Sequence, residues 1–139
     1  LHNSLLFYLY KTYIHYMKIL VVDDEKDVQT LFEQRFRKEI KSGELVFDFA
    51  FSGEEALVYL NKHEQEAVLI LSDINKTSMS RLDVLKKKKK KYHKPPPVVM
   101  MITAYGDEEN YNTAKQLGAD DFLTKPVDFT ALKEKLKSI

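Results

Sequence analysis

Short continuous apolar runs alternate along the chain with longer segments in which apolar residues recur at helical spacing. An unbroken apolar run is typical of a strand buried on both faces, and the longer spacing is typical of an amphipathic helix. Strands are therefore predicted over residues 19–22, 46–51, 68–71, 98–102 and 121–124. Helices are predicted over 28–40, 52–60 and 82–92, in a segment that ends at Gly118, and over 132–136. This alternation predicts an α/β fold, a parallel sheet with helices on both faces.

Local signals mark the boundaries of two of these helices. Gly43 follows the first helical pattern and is expected to stop it. Ser52 precedes the second, and Glu55 stands three residues later, which together form the sequence pattern of a capping box.

Polar residues come directly after four of the five predicted strands. Asp23 and Asp24 follow the first strand, Asp73 the third, Thr103 the fourth and Lys125 the fifth. In an open parallel sheet, ligands bind at the carboxyl ends of the strands. We therefore expect these five side chains to converge on one site.

The residue types at these positions suit phosphoryl transfer. Carboxylates that are brought together repel one another, and their hard oxygen atoms are ligands that Mg²⁺ prefers. Lys125 supplies a positive charge for an anion, Thr103 a hydroxyl donor and Ala104 a backbone N–H. A carboxylate nucleophile with a divalent cation, a lysine and a hydroxyl indicates phosphorylation of an aspartate.

Four ordered motifs resemble the receiver domains of two-component response regulators. They are VVDDE at 21–25, LILSDIN at 69–75, MITAYGD at 101–107 and GADDFLTKP at 118–126. The resemblance covers about residues 17–139. It implies a flavodoxin-like fold whose five parallel strands lie in the order 2-1-3-4-5, with helices on both faces.

By this resemblance, Asp73 would be the phosphoacceptor. Asp23 and Asp24 would bind Mg²⁺ together with Asp73 and the backbone carbonyl of Asn75. The domain would take its phosphoryl group from a histidine kinase or a phosphotransfer protein. It would act as a cytoplasmic signalling module that catalyses only its own phosphorylation and dephosphorylation.

The resemblance also implies a conformational switch. Thr103 would be the switch hydroxyl, Lys125 would contact the phosphoryl group, and the Phe122 ring would follow the movement of Thr103. The Lys125–Pro126 peptide bond would be cis. The surface formed by the fourth helix, the fifth strand and the fifth helix would then change for an output protein or domain whose identity stays open.

The loop after Asp73 departs from the family pattern. Lys76, Thr77 and Arg81 stand where the family usually has Met, Pro and Gly. A degenerate receiver that acts as a phosphorylation-independent interaction module is therefore an alternative. A second alternative is an aspartyl-nucleophile phosphatase, because residues 73–77 approach the D-x-D-x-T pattern, although Asn75 replaces the second acid.

Composition changes this picture in one respect. The chain has 139 residues and a net charge of +1. It has no cysteine, which excludes disulfides and thiol chemistry. Seven of its 22 basic residues fall within 86–94, and the rest of the chain is acidic. Helical spacing puts Lys88 or Lys89 on the buried face, with its stem along the core and its ammonium in water. Without stacking aromatic residues, a nucleic-acid partner is not expected.

Residues 1–16 are apolar and aromatic and precede a natural-looking start at Met17. Their apolar core is too short for a membrane helix and lacks the flanks of a signal peptide. We interpret 1–16 as an N-terminal extension outside the fold and 17–139 as the receiver domain. Self-association through this segment, giving a homodimer, is the alternative.

Overall fold

Five parallel strands and six helices alternate in the computed structural model, which describes residues 16–63, 66, 68–73, 79–93, 97–103 and 108–138. The strands are β1 (Met17–Val22), β2 (Leu45–Ala50), β3 (Val68–Asp73), β4 (Val98–Thr103) and β5 (Asp121–Thr124). The helices are α1 (Asp27–Arg35), α2 (Arg37–Ser42), α3 (Gly53–Lys62), α4 (Met79–Lys91), α5 (Glu108–Gln116) and α6 (Phe129–Lys137). Residues 1–15, and with them nearly all of the predicted extension, lie outside this description.

The strands form one sheet in the order β2-β1-β3-β4-β5, as the resemblance implied. All four neighbouring pairs are parallel. The register pairs Asp73 with Ile102 and Thr103 with Thr124. The carboxyl ends of β3, β4 and β5 are therefore level at one edge of the sheet.

Each strand face packs against its own layer of helices. Ile19 and Val21 belong to a core that includes residues of α1 and α6, whereas Leu20 and Val22 belong to a second core that includes residues of α3, α4 and α5. Successive side chains of a strand point to opposite faces, so an unbroken apolar run supplies both cores. The prediction of a sheet covered on both faces is confirmed.

The prediction of one continuous helix over 28–40 is wrong. The chain leaves helical geometry at Phe36, where φ is −108° and ψ is 23°, and α1 and α2 lie on either side. The Phe36 ring is fully buried, with ring centroids 5.1 Å from Phe47 and 5.9 Å from Phe129. The helical spacing of apolar residues runs through this position and predicts no break. We therefore attribute the break to the packing of this ring.

The predicted helix signals are confirmed. Gly43 ends α2 in the left-handed region, with φ of 81°. Ser52 Oγ accepts a hydrogen bond from the Glu55 N–H at 3.1 Å, and Glu55 Oε2 accepts one from the Phe51 N–H at 2.8 Å. The implied cis bond is present at Lys125–Pro126.

The six lysines at 86–91 lie on both the buried and the exposed faces of α4. Lys86 Nζ donates to the Gly118 carbonyl at 2.7 Å and to Asp120 Oδ2 at 2.8 Å, which ties α4 to the segment before β5. Lys89 is only 3% exposed, as the spacing predicted. Its Nζ is shielded from solvent, so the expectation that the ammonium reaches water is wrong. The other four lysines of 86–91 are exposed.

None of the helices in the described part of the chain is long and apolar enough to span a membrane.

Candidate functional site

Four of the five polar residues at the strand ends line a common cavity, and Thr103 does not line it. Asp23, Asp24, Asp73 and Lys125 share its walls with apolar side chains of α1 and with Phe129. Its volume is about 730 Å³. The structure therefore brings together the acidic residues and the lysine that the sequence placed at successive strand ends.

Asp73 and Lys125 form an ion pair. Asp73 ends β3, and its side chain is 9% exposed. Lys125 Nζ contacts Asp73 Oδ2, while the Lys125 side chain is 43% exposed. The Lys125 N–H donates to the Thr103 carbonyl at 2.9 Å, which fixes the start of this segment against β4. The carboxylate is largely shielded and the ammonium reaches both the carboxylate and solvent.

Asp23 and Asp24 form the acidic wall beside this pair. The Asp23 N–H donates to the Ala50 carbonyl at 3.0 Å, and Asp23 Oδ1 accepts from the Glu25 N–H at 2.9 Å. One Asp23 oxygen is thus engaged by its own turn, and Asp24 is exposed. Within the described ranges, no three acidic or histidine side chains are gathered closely enough to form a ready metal cage.

The donor atoms at this edge nevertheless fit Mg²⁺ chemically. Mg²⁺ takes hard oxygen ligands, keeps several waters and needs only one or two protein carboxylates. Asp23, Asp24 and Asp73 offer such oxygens around one cavity. The backbone carbonyl of Asn75, the fourth predicted ligand, lies outside the described residues, as do Ala104 and the departures Lys76 and Thr77. The same holds for the side chain of Arg81.

Thr103 and Phe122 lie on the same face of the sheet. Met101 and Phe122, paired in register, contribute to the α3–α5 core, and Thr103 stands two residues beyond Met101. Thr103 is buried, and its Oγ1 donates a long hydrogen bond to the Leu123 carbonyl at 3.4 Å. The partly buried Phe122 ring packs against Tyr111 of α5, with ring centroids 4.1 Å apart.

Asp121, next to Phe122, is held by α6. Lys135 Nζ donates to Asp121 Oδ1 at 3.0 Å and to Oδ2 at 2.9 Å, and the Phe122 N–H also donates to Oδ1. Burial alone would raise the pKa of the Asp121 carboxyl, but these hydrogen bonds outweigh it and the pKa lies below its ordinary value of 3.8.

Sequence reasoning missed Tyr111, Lys135 and the structural role of Lys86. The residues that these side chains contact are distant along the chain, so no local motif identifies them. Helical spacing offered one signal, because Tyr111 lies three residues before the buried Ala114 and therefore on the same side of α5.

The strand order and the polar residues at the carboxyl edge define a flavodoxin-like α/β domain. The family profile described as response regulator receiver domain matches residues 19–137. The chain belongs to the response regulator receiver domain family.

Two curated relatives are similar over most of this chain. The chain is 31% identical over 120 residues to sporulation initiation phosphotransferase F of Bacillus subtilis, covering 86% of this chain and 90% of that protein. It is 32% identical over 123 residues to response regulator RppA of Synechocystis, covering 88% of this chain and 50% of that protein. The chain thus spans about half the length of RppA.

Solved receiver domains share the fold. The receiver domain of Ssk1 from Saccharomyces cerevisiae, crystallised with the histidine phosphotransfer protein Ypd1, has a TM-score of 0.71 at 23% identity and covers 88% of this chain and 87% of that chain. The receiver domain of the Francisella response regulator 1452 has a TM-score of 0.65 at 26% identity, covering 88% and 94%.

Proposed function

We propose that Asp73 is the phosphoacceptor of this receiver domain, with a histidine kinase or a histidine phosphotransfer protein as donor. The observation that carries the proposal is the ion pair between the shielded Asp73 carboxylate and Lys125 in the cavity that Asp23 and Asp24 also line. In the reaction, one Asp73 oxygen bonds to phosphorus as the bond between phosphorus and the donor's histidine nitrogen breaks. The nitrogen keeps the electron pair and takes up a proton.

Asp23, Asp24 and Asp73 would hold Mg²⁺, with the Asn75 carbonyl as a further ligand. The ion would neutralise negative charge on the transferring phosphoryl oxygens. Lys125 would stabilise the same charge, since its ammonium already contacts the Asp73 carboxylate that would carry the phosphoryl group. The residues of this chain thus orient the carboxylate and balance charge.

The switch follows from the hydrogen bond that Thr103 makes before phosphorylation. Its hydroxyl donates to the Leu123 carbonyl over 3.4 Å, a long and therefore weak bond. A phosphoryl group on Asp73 would be a stronger, charged acceptor and would draw the hydroxyl toward it. The space vacated by Thr103 would then admit the Phe122 ring, which biases a two-state surface around α5, β5 and α6.

The partners follow from the same chemistry. The Ssk1 receiver domain was crystallised with a histidine phosphotransfer protein, and a relative of this chain is named a sporulation phosphotransferase. We extend that class of partner to this chain, together with an output protein or domain that reads the switched surface. A homodimer formed through residues 1–16 stays a prediction. We expect a cytoplasmic location, and we expect neither nucleic acid nor a membrane as a partner of this domain.

Labelling of the purified chain by acetyl phosphate tests this function. We expect intact-mass measurement to show addition of one phosphoryl group per chain, dependent on Mg²⁺ and lost on treatment with hydroxylamine, as an acyl phosphate requires. Hydroxylamine-resistant or Mg²⁺-independent labelling would contradict the assignment. Absence of labelling would favour the degenerate interaction module, and continuous turnover of a generic phosphomonoester would favour the phosphatase alternative.

A further inference from the structure

Phe122 has an aromatic neighbour on α5. The ring centroids of Tyr111 and Phe122 lie 4.1 Å apart, with the ring planes inclined at 43°. Such tilted or offset pairs are attractive beyond the area that they bury. Tyr111 is 37% exposed, so its ring contacts both Phe122 and solvent.

A movement of Thr103 would affect the contact between Tyr111 and Phe122. Thr103 and Phe122 lie on the α3–α5 face of neighbouring strands, and Thr103 donates to the carbonyl of the residue after Phe122. If the Phe122 ring fills space that Thr103 vacates, it moves inward along this face and separates from Tyr111. The Tyr111 contact is then present in one state of the switch and lost in the other.

We infer that Tyr111 is a positioning residue that holds Phe122 in its outer, resting place and so sets the threshold of the switch. The inference rests on the proposed function, because it assumes that Phe122 responds to Asp73. Tyr111 acts through Phe122 and touches neither the carboxylate nor the phosphoryl group. A ligand that binds the active state best gains apparent affinity when the resting state loses a stabilising contact.

Beryllofluoride with Mg²⁺ is the probe for this test, because it mimics the phosphoryl group without chemistry. Tyr111→Ala is expected to tighten its binding roughly two- to tenfold, the range that corresponds to one aromatic pair. Tyr111→Phe keeps the ring and is expected to bind as the unchanged chain does. Tyr92→Ala removes another exposed tyrosine, which directly follows α4, and serves as the matched control.

An NMR readout separates positioning from a general loss of structure. In Tyr111→Ala without beryllofluoride, the Thr103 methyl and Phe122 ring signals are expected to move toward their bound positions, and in Tyr111→Phe they are expected to stay. In a Phe122→Ala background, Tyr111→Ala is expected to change the affinity no further. If Tyr111→Ala unfolds, Tyr111→Leu keeps an apolar side chain and is expected to shift the same signals in the same direction.

The outcomes that overturn the inference differ from those that overturn the proposed function. Normal binding by the unchanged chain with equal or weaker binding by Tyr111→Ala would show that Tyr111 does not hold the resting state. An effect of Tyr111→Ala that persists in the Phe122→Ala background would show that it does not act through Phe122. Failure of the unchanged chain to bind beryllofluoride or to be labelled would overturn the proposed function, and this inference with it.

Discussion

Replacing Asp73 with asparagine is expected to reduce labelling by acetyl phosphate to background. Asparagine has nearly the shape of aspartate, but its neutral amide is not a nucleophile for phosphorus and is a weaker ligand for Mg²⁺. The change also removes the charge that pairs with Lys125. Because the Lys125 side chain already reaches solvent, we expect the free energy of unfolding to change by no more than about 1 kcal/mol. Intact-mass measurement and urea denaturation check the two expectations.

Asp48→Asn is the matched control for this experiment. Asp48 is a partly buried aspartate on β2 that accepts a hydrogen bond from the Tyr59 hydroxyl at 2.6 Å, and it does not line the site cavity. It should be labelled as the unchanged chain is. Full labelling of Asp73→Asn would show that another residue is the phosphoacceptor. Loss of labelling in both variants would indicate a general loss of folding.

Replacing Phe36 with alanine is expected to lower the free energy of unfolding by roughly 3–5 kcal/mol. The ring is fully buried between the helices and the sheet, where it packs against Phe32, Phe47 and Phe129. Truncation leaves a cavity bordered by rigid rings that cannot close it fully. The expected loss is a large part of the stability of a typical domain, so thermal unfolding should shift clearly downward.

Leu31→Ala on α1 is the control for size and helix propensity, because Leu31 is partly exposed. Its expected cost is about 1.5 kcal/mol or less, since Leu31 is 40% exposed and its truncation at the surface leaves no enclosed cavity. Equal losses for the two variants would show that the ring cluster adds nothing to the stability of this half of the fold.

Each strand was predictable because its evidence is local. In β3, every residue from Val68 to Asp73 is buried, and its first four residues are all apolar, as a strand with two covered faces favours. The Ser52 cap was predictable for the same reason, since both of its partners lie within four residues. The order of the strands came from the resemblance of the motifs to receiver domains, because apolar runs do not say which strands are neighbours.

The shared cavity was also predictable in outline. Asp23, Asp73 and Lys125 each follow or end a strand and line the cavity, because parallel strands bring such positions to one edge. Thr103 also ends a strand but does not line the cavity, so that part of the expectation is not met. Their individual contacts were not predictable. The pairing of Lys125 with Asp73 and the hydrogen bond from Thr103 to Leu123 depend on side-chain orientation across neighbouring strands.

The sequence by itself determined the alternation of strands and helices, the caps and the edge at which the polar residues meet. Only the tertiary structure decided that the helix breaks at Phe36, that the Lys89 ammonium is shielded from solvent while Lys86 binds Asp120, and that Tyr111 packs on Phe122. The physical reason is how far apart along the chain the interacting residues lie. Periodicity and capping arise between residues a few positions apart, whereas these contacts join residues whose distance is set by how whole helices pack on the sheet.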